Sequence, residues 1–217
     1  MGQDKLRYKI MVVSLFAAAM AYIEAAVVVY LRELYYPGGF SFPLKMLPAK
    51  MVIIEVLREA ATVVMLAAAA FLSDRKLGGR CGYLLYLFGL WDIFYYIWLK
   101  ITLGWPSTLL EWDVLFLIPV PWIAPVLAPV LIAAVMVSFG FLIVKRYDRG
   151  GTFRPDPLSW SGFAVAVISI WVSFVYDTGA TLNHKPPLNY PYFLLAAGLL
   201  FSVGAFWRIW RRGDSLK

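Results

Sequence analysis

The stretch KIMVVSLFAAAMAYIEAAVVVYL, Lys9 to Leu31, decides the fold class. Beyond Lys9 it holds one charge, Glu24, in a run of about 20 residues, the length a helix needs to cross a bilayer core. Lys5, Arg7 and Lys9 ahead of an Ala-rich apolar segment imitate a secretory signal. The apolar run continues past Glu24 to Tyr30, too long for a cleaved signal, and reads as a first transmembrane helix. Gly2 follows Met1, but Leu6 stands where a myristoylation pattern needs Ser or Thr.

Five further runs of this kind follow. They are expected at about Lys50 to Leu72, Cys81 to Leu103, Trp122 to Val144, Ser159 to Tyr176 and Tyr192 to Trp210. Turn chemistry separates them: Pro37-Gly38-Gly39, Gly78-Gly79, Gly150-Gly151, Pro155 with Pro157, and Pro186-Pro187. Composition agrees. Of 217 residues, 62% are hydrophobic and 15% charged, against about 25% charged in soluble domains. The expectation is an all-α polytopic membrane protein, one bundle domain over 1–217, with six transmembrane helices.

Lys and Arg alternate from connection to connection. The N-terminus, the second and fourth connections and the C-terminus carry fourteen; the other three connections carry five, and Arg58 lies inside a helix. Cytoplasmic loops hold the excess of basic residues, so both termini are expected in the cytoplasm, most simply of a cell with a plasma (inner) membrane. The net charge of +7 is then a matter of topology and gives no reason to expect nucleic acid as a partner. The bilayer is the expected partner, with a homo-oligomer or a larger membrane complex as further expectations.

Between the third and fourth runs, Trp105 to Trp122 is irregular. Thr108 and Glu111 have capping-box spacing, so a short helix is expected to start there. Leu109 to Ile118 is too short to cross, and Pro119, Pro121, Pro125 and Pro129 follow. The segment reads as re-entrant or interfacial, because irregular backbone at membrane depth must be buried in protein or line a wet cavity.

Charges inside apolar runs carry the functional signal, since each costs about 2.5–3.5 kcal/mol at mid-bilayer. They are Glu24, Glu55, Arg58, Glu59 and Asp92. Glu55, Arg58, Glu59 and Thr62 form one helical stripe, as do Gly82, Leu85, Gly89, Asp92 and Tyr96, and Ser14, Ala17, Ala18, Ala21, Glu24 and Ala25. Four acids against Arg58 leave −3, which asks for protons, a cation, or basic side chains such as Arg32, Lys50 and Lys100 reaching in. The bland alternative is that Arg58 simply bridges carboxylates and locks helices together.

The expected site therefore comprises Glu24, Glu55, Arg58, Glu59, Asp92 and Tyr96, opening toward the outer face. A metal reading draws on Glu55, Glu59, Asp92 and the single histidine, His184. Asp113 and Asp177 are read as solvated interfacial acids, and Trp91 and Trp171 as core. One histidine excludes bis-histidine haem ligation, and Cys81 alone supports neither iron–sulfur, structural zinc nor an internal disulfide. No H-E-x-x-H, Walker or G-x-S-x-G motif occurs. The functional expectation is cation- or proton-coupled transport. The alternatives are a membrane enzyme or metal protein using the same carboxylates, and a non-catalytic subunit of a membrane complex.

Overall fold

The computed structural model describes residues 2–45, 47–183, 185–187 and 189–214. Six long helices dominate: α1 (Gly2–Tyr35), α2 (Ala49–Ser73), α3 (Leu77–Leu103), α4 (Leu127–Asp148), α5 (Pro157–Val175) and α7 (Tyr192–Asp214). A single helical turn, α6 (Thr178–Leu182), follows α5. Between α3 and α4 lie two antiparallel strands, β1 (Trp112–Phe116) and β2 (Trp122–Pro125). Five helices, α1, α3, α4, α5 and α7, are long and apolar enough to cross a membrane. α2 has 25 residues and carries Glu55, Arg58 and Glu59 within five positions.

Three expectations need correction. The segment after Thr108 is a turn and then a hairpin, not a short helix. Glu111 uses its carboxylate on the backbone N–H (2.9 Å) and hydroxyl of Ser107, so the acid with capping-box spacing closes a loop instead. The fourth long helix begins at Leu127, five residues after Trp122. Ala124 precedes Pro125, and a residue before proline is pushed to extended geometry; here it pairs with Asp113 across the hairpin. Gly78 and Gly79, read as a turn, form the first turn of α3. A Cβ at Gly78 would overlap the Tyr147 ring at the end of α4.

α3 is the hub, packing against α1, α2 and α4, while α5 pairs with α7. Small residues set the approach of α3 to α4. A Cβ on Gly140 would lie 2.5 Å from the Tyr86 backbone nitrogen and 2.6 Å from the Gly82 carbonyl. One on Gly89 would lie 2.6 Å from the Ala133 carbonyl. On α1 the small-residue stripe faces inward, with Ala17, Ala21 and Ala25 buried. Large apolar side chains point outward; Leu72 is 90% and Leu200 72% exposed. Small inside and large outside is the pattern of helices that associate by close packing in an apolar solvent.

The two ends differ. At the basic end, Lys9 Nζ donates to the Ser73 carbonyl at 3.1 Å. Asp156 caps α5 by accepting from the Ser159 N–H (3.0 Å) and takes Arg208 (3.0 Å) and Arg212 of α7. Arg208 and the Ser159 hydroxyl hold the Asp156 carboxyl well below the usual carboxylate range. At the opposite end α3 stops at Gly104, whose φ of 67° favours a residue without a Cβ. The hairpin folds in at this end. The groups α1–α4 and α5–α7 meet along α4, α7 and β2, leaving a long cleft between them.

Candidate functional site

α2 brings Glu55, Arg58, Glu59 and Thr62 to one face, as their spacing predicts. Arg58 reaches Glu24 of α1 and, on its own helix, Glu55 at 2.7 Å. Thr62 donates to the other oxygen of Glu24 at 3.2 Å. Glu59 turns to the hairpin instead, and its two carboxylate oxygens accept the Leu117 N–H at 3.0 and 3.1 Å. This N–H lies in the bend between β1 and β2, where the ladder offers no partner. A buried backbone donor left alone costs about 1–3 kcal/mol, and Glu59 removes that cost.

A second buried pair lies nearer the hairpin end. Arg32 of α1 holds Asp113 of β1 at 3.1 Å, and the Tyr96 hydroxyl donates to Asp113 at 3.2 Å. The Arg32 guanidinium sits 3.8 Å from the ring centre of Trp105 and 4.4 Å from that of Phe40. Asp113 is 2% exposed and Arg32 7%. The expectation of a solvated Asp113 is therefore corrected, and Tyr96 belongs to this pair. Arg32 does not reach toward Glu24, and Lys100 spends its ammonium on the Gly104 and Pro106 carbonyls at 3.0 and 2.8 Å. The alternation of Asp113 with Trp112 and Val114 is the only sequence sign of a strand there, and it does not name Arg32 as the partner.

Asp92 stands apart. It lies on the α3 face toward α5 and α7, lining the cleft between the two helix groups. No hydrogen bond or salt bridge reaches it from the described residues. The cleft encloses about 980 Å³. Aromatic side chains dominate its walls, among them Phe88, Trp91, Phe116, Trp122, Trp171 and Phe174. Its other charge is Arg154, at the basic end. Trp91 and Trp122 bury indole N–H groups without an acceptor among the described residues. Trp91 is buried, as expected of a core residue, whereas Trp171 is 39% exposed and forms wall.

The acids therefore do not share one place. Glu24, Glu55, Arg58 and Glu59 are gathered and engaged, and none of them lines the Asp92 cleft or the cavity of about 820 Å³ beside Arg32 and Trp105. Among the described residues no three of His, Cys, Asp and Glu are placed to hold a metal ion. His184 lies outside the described residues. The metal set of Glu55, Glu59, Asp92 and His184 thus gains no geometric support.

What fold and cleft define is a class: a helical bundle whose five span-length apolar helices are compatible with a membrane-embedded protein. Within that class, comparison with known protein families, curated proteins and solved structures finds no match.

Proposed function

We propose that the protein is an integral membrane protein of six crossings with both termini cytoplasmic, and that it acts as a proton- or cation-coupled carrier through Asp92. α2 supplies the sixth crossing, its charges met internally by Glu24, by the Arg58–Glu55 pair and by the hairpin, the condition on which charges persist in lipid. The alternation of basic connections supports the orientation.

On this reading the hairpin is re-entrant from the outer side. Phe116 packs on Trp91 at a ring separation of 6.4 Å, and Trp91 lies about 18 Å along α3 from its hairpin end at ~1.5 Å per residue. Glu59, which meets the bend, lies about 15 Å along α2 from its start by the same measure. Both depths approach the middle of a hydrocarbon core about 30 Å thick.

The observation that carries the proposal is the unpaired Asp92 carboxyl in the wall of a large aromatic cleft. A bare carboxylate in such surroundings is costly, and a proton or a cation removes that cost. The exchanging group is thus Asp92, not the Glu24–Glu55–Glu59 set that helical spacing favours. An enzyme or metal protein built on the same carboxylates has less support, because Glu55 and Glu59 are engaged and Asp92 is separate from them.

Infrared difference spectra of the protein in lipid vesicles, recorded across a pH step, test the proposal. A protonated-carboxyl band should appear and vanish with pH, and Asp92→Asn should remove it. Proton flux across the same vesicles should fall with it. A band and a flux that both survive Asp92→Asn overturn the assignment.

A further inference from the structure

We infer that the Asp92 cleft takes a lipophilic organic cation, an ammonium or phosphonium centre carried in aromatic or aliphatic bulk, which enters sideways from the bilayer. This rests on Asp92 being the exchanging group and names its substrate class.

Size comes first. At about 980 Å³ the cleft is at the upper end of small-molecule sites, which span roughly 300–1,000 Å³. Wall chemistry comes second. Twelve of the thirty described lining residues are Phe, Trp or Tyr, and ring faces attract cations, more strongly once water is excluded. Charge comes third. Among the described residues Asp92 is the only acid in the lining, so the complementary charge is positive.

The same walls argue against a small inorganic cation. Calcium takes about six to eight oxygen ligands and magnesium keeps an octahedron of them. Asp92 supplies two oxygens, and the elements around it add few. Among the described residues α4 contributes apolar side chains and, near its far end, the Tyr147 hydroxyl; α5 contributes no charged residue, and α7 only Ser202 as a polar group. On α3 the titratable neighbour is Tyr96, and from β1 the charge bearing on Asp92 is Asp113, itself held by Arg32 and Tyr96. An ion that brings its own apolar shell needs no such oxygen cage.

The route follows from the rims. Arg154 stands at the basic end and repels a cation there. Trp160 and Val167 of α5 line the cleft and are 62% and 66% exposed, so the cleft opens along its flank, where lipid would lie.

The test uses two probes of one shape and opposite charge, tetraphenylphosphonium and tetraphenylborate, with full-length protein in lipid nanodiscs. Equilibrium binding of labelled phosphonium should be saturable and weaken as pH falls because protons compete for Asp92, and the borate, measured in separate samples, should show no saturable binding. Asp92→Asn should weaken it about tenfold or more, a loss of ~1.4 kcal/mol per decade, while Asp92→Glu retains it. Ser202→Trp, which fills the cleft without touching the acid, should weaken it as well and serves where Asp92→Asn fails to fold. Equal binding of the borate, or phosphonium binding unchanged in both Asp92→Asn and Ser202→Trp, overturns the inference. No saturable phosphonium binding alongside an Asp92-dependent infrared band overturns this substrate class and leaves the exchanging carboxyl standing. Absence of the band overturns the carrier reading beneath it.

Discussion

Arg58 is the residue on which the buried charges of the α1–α2 contact balance. One guanidinium serves Glu24 and Glu55, so removing it strands two carboxylates at once. Arg58→Met should lower stability by about 3 kcal/mol, the usual result of breaking a buried ion pair from one side. Adding Glu24→Gln and Glu55→Gln to that variant should recover much of the loss. Thermal unfolding in detergent reads both, and an unchanged midpoint in Arg58→Met alone would show the pair to be idle. This cluster was legible because helical spacing aligned three of its members on α2. The Arg32–Asp113 pair was not. Its partners are 81 positions apart, and neither shares a periodic stripe with a residue of opposite charge. Asp92 was legible as an oddity and misplaced as a neighbour. α3 is contacted on several sides, so Gly89 meets α4, Tyr96 meets the hairpin and Asp92 meets the cleft from what looks like one face.

The hairpin is the element that spacing rules misread. Thr108 and Glu111 satisfy a helix-start pattern, yet four prolines follow within the next stretch, and the backbone instead doubles back as β1 and β2. Local spacing does not show this, because one of the contacts that hold the bend is a carboxylate from α2. Glu59→Ala should leave the Leu117 N–H without an acceptor and speed hydrogen–deuterium exchange across residues 112–125, whereas Glu59→Gln, which keeps a carbonyl oxygen, should stay close to the parent. Exchange that is the same in Glu59→Ala and the parent would show that Glu59 does not secure the bend. The long helices, by contrast, were legible as elements, since an uninterrupted apolar run permits little else, although α1 begins seven residues before Lys9 and α4 five residues after Trp122. Their ends extended further than expected where caps lay outside the apolar run, as with Asp156 ahead of α5 and Pro157 at its first position.

At the scale of the whole molecule, the sidedness proposed from basic residues has a direct check. In a Cys81→Ser background, a single cysteine at Asn183 should react with a membrane-impermeant maleimide on intact cells. One at Arg149 should react only after permeabilisation. The opposite pattern would invert the topology and place the hairpin mouth in the cytoplasm. A last consequence concerns how the chain is made. The bend is secured from both directions of the sequence: Glu59 precedes it, and Thr178, which donates to the Pro121 carbonyl at 2.7 Å, comes 57 residues later. A ribosome finishes α4 and all of α5 before that hydroxyl exists. On the proposed re-entrant placement the hairpin is delivered to the membrane with one tether and waits for the other, so nascent chains stopped short of Thr178 should be the ones that quality-control proteases find.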